Sequence, residues 1–123
     1  MTSSFFEKSL STPPGQACSS CHSPRVAFAD LEVELPGSRG AILGRYGNRN
    51  DMTMSYATCI RPLHRGKDEG IWIGGLFWDG RAKSLAEQAQ RPPLNSLGMA
   101  NLHTWAIAKK LQVLSYAGLF TEV

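Results

Sequence analysis

Long apolar runs are missing from these 123 residues. No stretch approaches the ~18 apolar residues a membrane helix needs. The most apolar segment, Ile71 to Trp78, is interrupted by Gly74 and Gly75. Charge of one sign is also scarce. Thirteen Lys and Arg against ten Asp and Glu leave a net charge of +3, and the main basic cluster is Arg61, Arg65 and Lys67. A nucleic-acid interface needs a denser basic face, so no nucleic-acid partner is expected. Cysteine is limited to three residues, and an odd number argues against a disulfide framework. Residues Met1 to Phe6 have neither a basic n-region nor a long apolar h-region, so no secretory leader is expected within the chain. No repeat or low-complexity segment is visible. The length fits one small domain spanning 1–123 and leaves no room for two. Glycine and proline, by contrast, are plentiful at 12 and 7, so much of the chain should be loop. A loop-rich chain of this size buries a modest core, which a metal, a disulfide or an embedded cofactor is expected to complete.

Two of the cysteines are paired. Cys18-Ser19-Ser20-Cys21-His22 reads C-x-x-C-H, the attachment pattern of c-type haem. Two thiols about one helical turn apart can add to the two haem vinyl groups. The adjacent His22 then supplies the proximal axial ligand. Two rivals stand beside this reading: half of a zinc site, or a thiol redox pair. A zinc site needs a second pair of ligands, and Cys59, His64 and His103 form none at comparable spacing. A thioredoxin-like pair needs a βαβ context, whereas these flanks are Pro-rich. The sequence favours one covalent haem c.

The pattern along the chain predicts an all-α, cytochrome c-like haem domain with long irregular loops. A short helix is expected over Ser4 to Leu10, with Phe5, Phe6 and Leu10 inward, ended by Pro13, Pro14 and Gly15. Residues Ser23 to Asn50 read as irregular. A short helix is expected over Met52 to Ile60, and a glycine-hinged loop over Arg61 to Gly75. Ser84 and Glu87 form a capping box for a helix that Pro92 and Pro93 should end by Arg91. Asn101 is placed to cap a last helix running to about Leu119. Its stripe is Leu102, Trp105, Ala108 and Leu111, widened by Ile107 and Leu114.

Several segments together resemble one family. LSTPPGQACSSCHSPRVAFAD (Leu10 to Asp30) is similar to the haem entry of bacterial di-haem cytochrome c peroxidases and their relatives of the methylamine-utilisation maturation type. GNRNDMTMSYA (Gly47 to Ala57), GGLFWDGRAKSLAEQAQRPPLNSLGM (Gly74 to Met99) and YAGLF (Tyr116 to Phe120) follow in the family's order. The resemblance implies the N-terminal, peroxidatic haem domain, with the C-terminal haem domain absent. The chain is therefore expected to be a fragment or a single-haem relative.

By the same resemblance, Cys18 and Cys21 carry the thioethers and His22 is the proximal ligand. Trp78 matches a tryptophan between the two haems that passes electrons or holes; the plainer reading is a packed core tryptophan. Gln88 matches a glutamine on the distal face. Asn50 matches an asparagine near an inter-domain calcium, whose other ligands lie mostly in the second domain, so calcium is not expected. One departure is large: where the family peroxidases carry a distal acid-base glutamate, just before the residue matching Met99, this chain has Gly98. Losing such a group typically costs about 10²–10⁴-fold in rate.

The distal ligand is open among Met99, which the freedom of Gly98 could bring to the iron, a loop His64, and an open site. His103, Met52 and Met54 read as structural or packing residues, and Cys59 as a buried free thiol. The expected function is one-electron transfer by a haem domain derived from a peroxide-reducing ancestor. Its alternatives are an active peroxidatic fragment and a haem-based sensor. The expected electron donor is a small redox protein or the missing haem domain, and an apolar face around Trp72, Phe77 and Trp78 leaves self-association open. A periplasmic location follows from covalent haem c.

Overall fold

The computed structural model of the chain describes residues 2–32, 34–67 and 70–120. Helices are short and loops long. α1 (Thr2–Phe5) leads to a 3₁₀ turn at Lys8–Leu10, and α2 (Cys18–Cys21) to another at Pro24–Val26. A third 3₁₀ turn, Ala57–Cys59, precedes the strands β1 (His64–Arg65) and β2 (Trp72–Ile73). α3 (Leu85–Ala89), α4 (Arg91–Leu94), α5 (Thr104–Gln112) and a 3₁₀ turn at Ala117–Phe120 complete the order.

Several sequence expectations are corrected. The first helix breaks in two, and Phe6 points outward, 54% exposed, whereas Leu10 is buried. Met52 to Ile60 forms only the one turn of Ala57–Cys59, because its hydrogen-bonding groups reach out to another segment, as described below. Within Arg61 to Gly75 the chain pairs with itself: His64 faces Ile73 and Arg65 faces Trp72 in an antiparallel register. The β-branched and aromatic run Ile71-Trp72-Ile73 is the strand signal for this hairpin.

Helical backbone resumes after α3 with Pro92 and Pro93 inside the first turn of α4, where the missing N–H groups have no helical partner to lose. Ser84 Oγ accepts the Glu87 N–H at 3.2 Å, while Glu87 reaches one residue further back than expected, to the Lys83 N–H at 3.0 Å. α5 begins after His103, not Asn101, and ends at Gln112. Most of its expected apolar stripe is exposed: Leu102, Trp105 and Ala108 face outward, and Ile107, Leu111 and Leu114 are half-buried.

Asn101 does something other than capping. It is 2% exposed, and its Nδ2 donates to the Leu10 carbonyl at 2.8 Å and the Pro93 carbonyl at 2.9 Å. Its Oδ1 accepts from Thr12 Oγ1 at 2.8 Å and Lys110 Nζ at 2.9 Å. Lys110 also donates to the Ser11 carbonyl at 2.6 Å and Thr12 Oγ1 at 2.7 Å. This polar clamp ties the chain start to α4 and α5, and every polar atom named has a partner.

The apolar interior is slight. Among the described residues the buried hydrophobic side chains are Leu10, Ala17, Leu76, Ala82, Met99 and Ala100, and the largest fully buried side chain is Ser11. Many large apolar side chains lie on the surface instead.

Candidate haem-attachment site

α2 is one turn, and its ends are tied by backbone and serine groups. Ser20 Oγ accepts the Ala17 N–H at 3.0 Å, and the His22 N–H donates to the Cys18 carbonyl at 2.9 Å. Cys18 and Cys21 therefore sit on adjacent levels of one helical turn, both free and both half-buried. Burial pushes the Cys18 thiol above its ordinary range. Burial, with the nearby Asp51 and Asp30 carboxylates adding to it, pushes Cys21 up to about 12. Burial thus disfavours the thiolate form of both residues in the free chain. Among the described residues no group of three or more His, Cys, Asp or Glu is arranged to hold a metal ion. The second pair of ligands that a zinc site needs is therefore not found beside Cys18 and Cys21 among the described residues.

Gln16 packs beside this turn, 7% exposed, with Nε2 donating to Cys21 Sγ at 3.3 Å and to the Arg39 carbonyl. Its Oε1 is buried without a hydrogen-bond partner. A pocket of about 230 Å³ opens here, lined by Gln16, Cys21, Asp30, Glu32 and Arg39 among others.

His22 follows α2. Its Nδ1 lies 3.1 Å from the Phe28 carbonyl oxygen. A carbonyl only accepts, so Nδ1 carries the proton and Nε2 keeps its lone pair free. That is the donor set covalent haem c requires: two adjacent thiols, then an imidazole with Nδ1 fixed and Nε2 available. The residues present fit the group.

One segment, 50–55, gathers the other parts. Asp51 sits beside Cys21. The Asn50 carbonyl accepts Trp78 Nε1–H at 2.8 Å, and the Met54 N–H donates to the Phe28 carbonyl at 3.2 Å. The structure thus brings together Trp78 and Asn50, two residues that the sequence matched separately. Asn50 Oδ1 is buried without a partner. Trp78 is 60% exposed, which removes the packed-core reading. Its loop is held by Arg81, which pairs with both Asp79 carboxylate oxygens at 2.7 and 2.8 Å and stacks 3.8 Å from the centre of the Phe77 ring. Arg81 holds the Asp79 carboxyl below its ordinary range.

The remaining candidates are placed as follows. Gln88 is half-buried on α3. Met99 is buried in the core, with its N–H on the Pro92 carbonyl at 3.2 Å and its carbonyl accepting the Thr12 N–H at 2.8 Å. Gly98 serves close packing and not freedom. Its φ lies outside the left-handed range, and a Cβ there would stand 3.0 Å from the Pro92 oxygen. His64 is anchored in β1, with Nδ1 2.9 Å from the Pro62 oxygen, and is not in a free loop. His103 stacks on Trp105 with ring centres 5.9 Å apart. Cys59 is exposed, contrary to the buried thiol expected, and Met52 and Met54 are exposed too.

Sequence reasoning missed Phe28, Asp51 and Gln16. Phe28 acts through its backbone carbonyl, which no side-chain pattern reveals. Gln16 offered one signal, its position two residues before Cys18.

The comparisons with known proteins agree with this arrangement. The family model described as di-haem cytochrome c peroxidase matches residues 3–123. The methylamine utilization protein MauG of Paracoccus denitrificans is 38% identical over 111 residues, 88% of this chain and 28% of the relative. The cytochrome c551 peroxidase of Pseudomonas aeruginosa is 34% identical over 95 residues, 77% of this chain and 22% of the relative. The crystal structure of the diheme peroxidase BthA from Burkholderia thailandensis superposes with a TM-score of 0.86 at 31% identity, covering 98% of this chain and 30% of that one. The chain thus spans less than a third of the length of these relatives. On the family match and the attachment turn together, the chain belongs to the di-haem cytochrome c peroxidase family.

Proposed function

We propose that this chain is a cytochrome c-like haem domain for one-electron transfer. Cys18 and Cys21 would hold one haem c covalently, and His22 Nε2 would ligate its iron. When bound, the group supplies a one-electron iron couple. The observation that carries the reading is the His22 Nδ1 contact with the Phe28 carbonyl, 3.1 Å, directly after the two thiols of α2. It fixes the tautomer that leaves Nε2 free to ligate.

Trp78 is the route by which electrons reach or leave the domain. Its ring is exposed to a partner, while its N–H is fixed on the Asn50 carbonyl in the segment that also flanks Cys21 and Phe28. The partner is a small redox protein or a second haem domain. Gln88 and Met99 match the family's distal segment, but the close packing at Gly98 and the buried, hydrogen-bonded position of Met99 argue against Met99 as the sixth ligand. Gly98 offers no acid-base group, so peroxide reduction by this chain is expected to fall about 10²–10⁴-fold below that of a glutamate-bearing site. Attachment of haem c outside the cytoplasmic membrane places the domain in the periplasm.

The test is the spectrum of the chain exported and matured with haem c. A Soret band that survives acid-acetone extraction, and is lost in C18A/C21A, is expected. A colourless wild-type protein under those conditions sinks the reading. For the Trp78 route, W78F in the haem-bearing chain should slow reduction by a small redox protein without altering the haem spectrum.

A further inference from the structure

The carbonyl that holds His22 belongs to an unusual turn. Ala27 and Phe28 are consecutive residues with φ of 55° and 58°. Side chains with a Cβ resist this left-handed backbone, so something must hold it.

Each of the two peptide planes in the turn is held at both ends. In the first, the Phe28 N–H donates to the Ser23 carbonyl at 2.8 Å. The Ala27 carbonyl of the same plane points the other way and accepts two hydroxyls, Thr53 Oγ1 and, at 3.0 Å, Ser55 Oγ. In the second plane, the Ala29 N–H donates to the Val26 carbonyl at 3.1 Å. The Phe28 carbonyl opposite accepts the Met54 N–H at 3.2 Å and His22 Nδ1 at 3.1 Å. The Ser55 N–H donates to Thr53 Oγ1 at 3.1 Å, so the two hydroxyl residues form one local unit. The grip on the Ala27 carbonyl therefore comes from side chains of one distant segment.

We infer that Thr53 and Ser55 are positioning residues for the axial histidine: their hydroxyls hold the Ala27 carbonyl, and so the left-handed turn that presents the Phe28 carbonyl to His22 Nδ1. Neither hydroxyl is bonded to the imidazole; both bond the Ala27 carbonyl. Each acts through the turn, and through it on the donor strength of His22, because an Nδ1–H held by an acceptor makes the ring a stronger ligand. The inference rests on the haem reading above.

The experiment measures the midpoint potential and the iron–histidine stretching band of the haem-bearing chain, as wild type, T53V/S55A and T53S. A weaker histidine donor favours the reduced iron. T53V/S55A should raise the potential by on the order of tenfold in the redox equilibrium, ~59 mV for one electron, and lower the stretching frequency. T53S keeps the hydroxyl and should match wild type. Adding A27G to the double variant should move the potential back, since glycine takes left-handed backbone without cost. A haem-bearing T53V/S55A with unchanged potential and band overturns the inference. Should the double variant fail to load haem, T53V and S55A are measured singly, and wild-type potentials in both overturn it equally. A wild-type chain without a haem c spectrum instead removes the haem reading and is thereby told apart from failure of the clamp.

Discussion

Two regions of this molecule solve the folding problem in opposite ways. Around Asn101 the chain closes on itself: the Leu10–Thr12 segment, Pro93, Asn101 and Lys110 exchange hydrogen bonds until the polar atoms of the clamp are satisfied. Around α2 it does not. The two thiols of α2 are free, Gln16 Oε1 and Asn50 Oδ1 are buried without partners, and Met52, Met54 and Trp78 face outward. The scaffold is complete in itself, whereas the site is built to receive something. A small loop-rich domain can specify the first with polar contacts, but lacks the apolar mass to close the second.

The difference can be broken at either side, and the largest effect belongs to the site. C18A/C21A cannot form thioethers. The exported double variant should lose haem, and with it most of its cooperative thermal unfolding measured by far-ultraviolet circular dichroism. A colourless variant that melts cooperatively with full helical signal would show that the site side also closes on itself.

Next comes the clamp. N101A removes one buried side chain with four hydrogen-bonding partners and leaves carbonyls and Lys110 partly unpaired. It should cost about 3 kcal/mol in urea unfolding of the haem-bearing protein, with an unchanged haem spectrum. A spectral change would mean that clamp and site are not separate.

G98A probes the seam between them, because Gly98 accepts the Ala41 N–H at 2.8 Å and precedes the core residue Met99. A methyl group 3.0 Å from the Pro92 oxygen should lower stability by about 1 kcal/mol. A stabilised G98A would show that this turn has slack.

The smallest effect is at Asp79, on the exposed loop of Trp78. Arg81 lowers its pKa below the ordinary 3.8. A depressed carboxylate contributes stability above its unfolded value and loses it as pH falls through the folded one. D79N should therefore lower stability slightly at pH 7 and converge with wild type as the pH falls below about 3.8, the effect being small because the pair is exposed. Equal pH profiles for D79N and wild type would remove Asp79 from the account.

The attachment turn was legible because its chemistry is local. Cys18, Cys21 and His22 are close in sequence, and one helical turn places them. Ser84 and Glu87 were legible for the same reason, apart from one residue in the reach of Glu87. The hairpin of His64–Arg65 with Trp72–Ile73 was overlooked, since two-residue strands leave little periodicity to read. Asn101 looked like a helix cap because capping and long-range bridging use the same side chain. Only the distant Leu10 and Pro93 carbonyls distinguish the two. The Trp78 ring was expected in an apolar run, but the left-handed Phe77 (φ 64°) turns the chain and puts the ring outside.

The sequence by itself determined the haem chemistry and the family, because both reside in residue types at fixed short spacing. Only the tertiary structure decided what holds that chemistry in place. The partners of His22, Cys21 and Trp78 are a Phe28 carbonyl, an Asp51 carboxylate and an Asn50 carbonyl, drawn from segments up to 30 residues away. Two of the three are backbone atoms that every residue carries. No pattern of side chains marks them until the chain has folded.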